Sequence, residues 1–428
     1  MIFFTVFFCI GAYAPFFFRV KCFLKLYVCG LAGVAKIKRK KSGGPRIGAF
    51  AACTFFFWFT MYSYVPTMTP YLTGLGFGYS AIGLIGGSYG FSQMLLRLPL
   101  GITSDRLGKR KIFIIAGILA GAASSFGMFF ARSAPAILGL RLLAGASASA
   151  WVAFAVLFSS YFEKEKAASR LSYLLIVNNC GIVLAGLAGS AIADRFGHRY
   201  SFLLGGAAGL AAFIFGLFIT EKIPERAEPA SVRKLLGAVK NKNLLSTSVL
   251  AIFAQMIVFS TVNTFTPEAA ARAGADPMRL GYLSVAATVP AIAASFIGGR
   301  IFAKKARADI RAIIAPGFAA AALGALIIPF AGGMAAIYAS SILIGFGCGI
   351  CMSALLSYCT LTVDEGARSA AMGFFQAVYG LGMFAGPALI GVFVDLAGVS
   401  GGFYAVAALA LIAGALTFTL LNKFNAAG

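Results

Sequence analysis

Gly101-Ile-Thr-Ser-Asp105-Arg106-Leu-Gly108-Lys109-Arg110-Lys111 lies between two long apolar runs. Each run has about 20 residues, enough to cross a bilayer as a helix. The stretch between them must therefore turn the chain from one membrane helix into the next within a few residues. Gly101 and Gly108 suit close helix approach and a tight turn. In so short a loop the charges stay beside helix ends, where Asp105 can meet helix N-termini and the basic residues can reach interfacial water. An ordinary basic loop is the competing reading.

Similar apolar runs recur along all 428 residues. The chain is 60% hydrophobic and only 11% charged, with a mean hydropathy of +0.90, which excludes a set of soluble domains. In lipid the backbone must satisfy its own hydrogen bonds, so the choice is helices or a closed barrel. The runs are continuous rather than alternating, which selects helices. Twelve spans are expected, near 47–72, 80–101, 111–131, 135–160, 168–192, 199–219, 244–267, 280–302, 309–331, 335–360, 368–393 and 402–422. The one long polar loop, 220–243, carries Pro224, Pro229 and a mixture of Lys, Arg and Glu. It divides the chain into a first six-helix bundle, 47–219, and a second, 244–422, followed by a tail, 423–428. Residues 1–46 form a hydrophobic and basic extension that reads as an extra helix or as sequence upstream of the true start. It lacks the order of segments that marks a signal peptide.

The net charge of +23 would suggest nucleic acid in a soluble protein. Here the basic residues collect in alternate loops. About 26 Lys and Arg fall on one side from Lys36 onward and about five on the other, which places both termini in the cytoplasm. The excess suits anionic lipid, and no nucleic-acid partner is expected. Cys348-Gly-Ile-Cys351 imitates a redox motif, but no βαβ pattern surrounds it, so packing is the better reading. The halves repeat. Gly181, Asp194 and Gly197 return 201 residues later as Gly382, Asp395 and Gly398.

The pattern G-x-x-x-D-R-x-G-K-R at 101–110 resembles the loop between the second and third helices of the major facilitator superfamily of secondary transporters. Arg141-Leu-Leu-Ala-Gly145 resembles that family's fourth-helix R-x-x-x-G motif. The resemblance covers 47 to about 422. It implies an all-α polytopic protein of two pseudo-symmetric six-helix bundles, with a binding site at their interface and alternating access around it. It also implies a place in the plasma membrane, the inner membrane of a bacterium. Two departures stand out. The equivalent loop of the second half, Gly299-Arg300-Ile-Phe-Ala303-Lys304-Lys305, has Ala303 where the acid should be, so gating should lean on the first half. The fifth-helix G-x-x-x-G-P motif of drug/proton antiporters is complete only as Gly382–Pro387 in the eleventh helix; Gly181–Leu187 lacks the proline.

The gating set is then Gly101, Asp105, Arg106, Gly108, Lys109 and Arg110, joined by Arg97 one turn earlier. Candidates to touch a solute or a coupling ion are Arg141, Tyr62, Tyr64, Asn178, Asn179, Gln255, Asn263, Gln376 and Tyr379, polar or aromatic residues within spans. Each has bonding to a neighbouring helix as its alternative role. No carboxylate is expected in mid-membrane, and the single histidine, His198, falls in an outer loop. No metal, cofactor or enzyme activity is expected. The expected partners are lipid and a small organic solute, with a proton or a counter-solute left open, and the expected state is a monomer. Uptake and efflux are both open. The second reading is a transporter-like solute sensor, although the loop and tail give it no output domain.

Overall fold

The structure, a computed structural model, describes residues 47–221, 241–304, 309–363 and 368–421. The extension 1–46, most of the polar loop, Lys305 and the tail 423–428 lie outside the described residues. Every regular element among the described residues is helical. In the first half α1 comprises Ile47–Tyr62 and Val65–Gly74, α2 is Tyr79–Leu107 and α3 is Arg110–Phe130. Then come α4, Ala134–Ser149 continued by Trp151–Ser159, α5, Lys164–Phe196, and α6, Arg199–Leu217. In the second half α7 is Lys242–Ser260, a π-helical turn Thr261–Phe265, and Thr266–Arg272. It is followed by α8, Pro277–Lys304, α9, Arg311–Ile327, and α10, Met334–Leu361. A last run, Arg368–Leu420, leaves helical geometry at Ala397 and Gly398, and this break divides it into α11 and α12.

Ten helical runs among the described residues are long and apolar enough to cross a membrane, the last of them being Ala371–Leu420. Its division at Gly398, together with α2, accounts for the twelve spans read from the sequence. α2 carries Arg97, Asp105 and Arg106 and is correspondingly less apolar.

The internal repeat has a packing basis. A Cβ on Gly181 would lie 2.6 Å from the Phe55 carbonyl oxygen, and one on Gly382 would lie 2.1 Å from that of Ile252. Thus α5 presses on α1 as α11 presses on α7. Gly145 and Gly345 do the same for α4 on α2 and α10 on α8, with Cβ positions 2.1 Å and 2.0 Å from the Tyr89 and Ala287 oxygens. Small residues at such crossings let backbones touch, which is how helices associate where lipid is as apolar as the side chains.

Two interruptions depart from the sequence reading. Pro66 has no N–H to donate and disfavours helical geometry at the residue before it; α1 breaks at Ser63–Tyr64. Pro267 poses the same problem in α7, where the seventh span was expected to stop. The Thr266 N–H bonds instead to the Thr261 oxygen, five residues back, and the helix continues to Arg272. Such π-turns inside helices are frequent at functional sites.

Candidate functional site

Close packing of α4 on α2 builds the centre of the molecule. Because Gly145 seats on the Tyr89 backbone, Arg141, one turn earlier, is delivered onto the tyrosines. Its Cζ lies 5.0 Å from the Tyr89 ring centroid and 5.8 Å from that of Tyr64, and its Nη1 donates to the Tyr64 hydroxyl at 3.3 Å. Arg97 of α2 donates from Nη1 to the Tyr379 hydroxyl of α11 at 3.2 Å. The two guanidinium residues are 5% and 6% exposed, and the Nε of each is buried without a partner. Aromatic residues wall the cluster. Trp58 and Trp151, the only tryptophans in the chain, meet at 5.5 Å, Trp58 reaches Tyr62, and Phe259 of α7 stacks on Tyr89 at 6.2 Å. Half-buried Tyr62, Val258 and Tyr379 pack against both hydrophobic cores, so they line the seam between the halves.

Of the sequence candidates, Arg141, Tyr62, Tyr64 and Tyr379 come together here, and Arg97 joins them rather than the Asp105 loop. Among the described residues no hydrogen bond joins the other candidates to this cluster. Asn179 donates back to the Leu175 oxygen of its own helix at 2.9 Å, and the Asn178 Oδ1 is buried without a partner. Gln255, Asn263 and Gln376 are half-buried, with no side-chain hydrogen bond among the described residues. Tyr89, Trp58 and Trp151 were missed. Tyr89 hid in a glycine-rich stretch that reads as packing, whereas the rarity of tryptophan could have marked the other two.

At one end of the bundle the halves are joined by polar contacts. Asp395, at the end of α11, accepts from the Tyr79 N–H at 2.9 Å, from the Ser80 N–H at 2.8 Å and from the Ser80 hydroxyl. A carboxylate thus sits on the N-terminus of α2, where the helix dipole favours it. Beside it, Glu268 of α7 accepts from Thr73 Oγ1 of α1 at 3.0 Å, from the Tyr79 hydroxyl at 2.9 Å and from Arg272 Nε at 3.2 Å. Glu268 is 3% exposed. It falls inside a helix, one residue past the point where the sequence reading ended the span. A Cβ on Gly83 would meet the Pro387 oxygen at 2.1 Å, and one on Gly186 would meet Ser284 Oγ at 3.3 Å. The α2–α11 and α5–α8 seams are therefore both tight at this end.

The opposite end carries the loop with which the sequence reading began. Gly108, at φ 64°, stops α2 in a left-handed turn that other residues adopt at a cost. Asp105 pairs with Arg110 at 2.8 Å. The sequence reading aimed Asp105 at helix N-termini and left the basic residues in interfacial water. Instead Glu221 accepts from the Arg110 and Lys111 N–H groups at the start of α3, and Arg110 is buried. Lys111 Nζ donates to the Leu217 oxygen at the end of α6 at 2.8 Å. Here an apolar groove of about 800 Å³ runs along the outside of the α2–α11 contact, lined by Leu95, Leu98, Ile102, Phe374, Val378 and Leu381 among others. Leu95 and Leu381 are exposed on it, so the groove faces outward from the bundle and is separate from the arginine cluster. Away from the membrane spans, burial pulls the imidazole of His198, between α5 and α6, below its ordinary pKa.

The family model described as Major Facilitator Superfamily matches residues 50–387 and 311–426. An uncharacterized MFS-type transporter of Methanocaldococcus jannaschii is 23% identical over 84% of this chain and 93% of its own length. A protein of Agrobacterium vitis provisionally named a tartrate transporter is 23% identical over 81% of this chain and 86% of its own. Among solved structures, a bacterial homologue of the human lysosomal transporter Spinster, in an inward-facing and unoccupied conformation, superposes with a TM-score of 0.75. It does so at 15% identity, over 87% of this chain and 95% of that one, a likeness of fold.

Proposed function

The chain belongs to the Major Facilitator Superfamily of membrane transporters, and we propose that it moves a small organic solute by alternating access about the Arg97–Arg141–tyrosine cluster. The observation that carries this reading is the asymmetry of the seam. Polar contacts and bare-backbone crossings join the halves at the Asp395 end, whereas toward the Asp105 end α2 and α11 meet through the Arg97–Tyr379 bond and apolar side chains such as Leu98. A half-buried aromatic site between them would then be reached from the Asp105 side. The positive-inside count puts that side in the cytoplasm, so on this reading the less tightly joined end is the cytoplasmic one.

In the opposite state the Asp105 end must close, and the Asp105–Arg110 pair would hold the α2–α3 turn in shape for it. Asp105→Asn leaves buried Arg110 with a weaker partner, and removing a charged partner from a buried pair costs about 3 kcal/mol. Asp105 is partly exposed, so a smaller loss is expected, with exchange slowed roughly tenfold and the protein still folded. The function test is solute counterflow in proteoliposomes holding the purified chain. Exchange of labelled for unlabelled solute that slows in Asp105→Asn supports a carrier. Saturable binding without exchange would support a sensor instead.

A further inference from the structure

We infer that the solute is an organic oxyanion, a carboxylate- or phosphate-bearing molecule whose charged group is received between Arg97 and Arg141. This deepens the transport reading and rests on it. The premise is two buried cations without a counter-charge. Among the described residues the ion pairs include Asp105 with Arg110, Glu163 with Lys166, Glu268 with Arg272, Asp276 with Arg279 and Asp309 with Arg311. None involves Arg97 or Arg141. Each of these guanidiniums spends one Nη on a tyrosine hydroxyl, and the Nε of each is buried without a partner.

A charge held inside a membrane protein without a carboxylate is costly, and it marks a place where a charge is to be met. The ring of Tyr89 offsets part of that cost for Arg141. Among the described residues no comparable ring contact holds Arg97, whose side chain gains a single neutral hydrogen bond. Guanidinium is the group best matched to the planar or branched oxygens of carboxylate and phosphate, through paired N–H donors. The tyrosines and tryptophans around it supply apolar walls for the organic body of the solute. A cationic solute would meet two like charges here, and a neutral one would leave both unpaired.

Both arginines lie in the first half, while Tyr379, the hydroxyl that holds Arg97, belongs to the second. An anion drawn onto Arg97 would compete with that hydrogen bond, so occupancy of the site would be communicated across the seam.

The test is binding to, and counterflow by, the full-length chain, with succinate, glycerol 3-phosphate, uridine and ethidium as probes. Succinate, glycerol 3-phosphate or both should bind, and uridine and ethidium should not. Whichever anion binds identifies the headgroup. Arg97→Gln and Arg141→Gln should each weaken binding about tenfold or more, whereas Arg141→Lys, a point charge without the planar fork, should retain part of it. Melting temperature and size-exclusion profile check that the variants fold. A second measurement needs no variant: succinate binding to the native chain should fall as pH is lowered through roughly 5 to 4, where its carboxylates protonate. Uridine or ethidium carried equally by the native chain and Arg141→Gln would overturn the anion assignment while leaving transport intact. No binding and no counterflow with any probe would overturn transport and this inference together.

Discussion

Gly189→Val is expected to remove most of the folded protein from the membrane, while Gly83→Val leaves the fold intact and stops the transport cycle. Both glycines touch backbone. A Cβ on Gly189 would fall 1.5 Å from the Ser63 oxygen and 2.5 Å from the Ser63 carbonyl carbon; one on Gly83 would fall 2.1 Å from the Pro387 oxygen and 2.9 Å from its carbon. Neither neighbour is the tip of a flexible side chain, so in each case a helix must move. The outcomes differ because of which helices meet. Gly189 packs α5 against the break in α1, inside the first half, and a cycle that rocks the halves never separates those two. The overpacking, about 3 kcal/mol or more, then falls on every folded state. Gly83 packs α2 against α11 across the seam, and parting the halves at the Asp395 end relieves its clash. The same energy becomes a shift of roughly a hundredfold toward the state in which that end is open.

Size-exclusion profiles and melting temperatures of both variants separate the two effects. A maleimide probe on Ser284→Cys, with Cys9, Cys22, Cys29 and Cys180 replaced by serine, reads the opening of the α5–α8 seam. Native stability in Gly189→Val, or failure of Gly83→Val to fold, would mean that the glycines do not divide folding from gating as argued.

The helical spans and the Gly108 turn were legible in the sequence because each rests on a local rule: apolar length, or a glycine where the backbone turns. The site was only partly legible. Arg97 reads as part of the loop network, being four residues before Gly101. In a helix, however, side chains lean toward the N-terminus, and α2 has its N-terminus at the Asp395 end. Arg97 therefore reaches back toward the middle of the bundle and Tyr379. Glu268 falls one residue past the seventh span as read from the sequence, 244–267. Only the π-turn, which depends on how α7 packs, keeps it inside the helix. Glu221 was one of several charges in a polar loop, and nothing local distinguishes it as the cap of α3. In each case the deciding contact joins residues far apart in the chain, and periodicity carries no information about such partners.

Glu268→Gln should open the Asp395 end about tenfold or more, and its effect should not add to that of Asp395→Asn. Glu268 accepts three hydrogen bonds, from Thr73, Tyr79 and Arg272, and two of those donors belong to the other half. The amide of glutamine has one acceptor oxygen and no charge. Hydrogen bonds to charged groups contribute about 1.5–3 kcal/mol each, and losing one such contact across the seam corresponds to about a tenfold to hundredfold change in the open population. Asp395→Asn loses the favourable charge at the α2 N-terminus, about 0.3–1 kcal/mol, together with at least one of the bonds from Tyr79 and Ser80. Each substitution alone should raise maleimide labelling of Ser284→Cys. The two are coupled because both carboxylates hold Tyr79, Asp395 through its N–H and Glu268 through its hydroxyl. Once either grip is released the residue is free to move, and the second release has less left to undo. The double variant should therefore open the seam by less than the product of the single effects. An open population equal to that product would identify two independent locks, with Tyr79 a bystander between them.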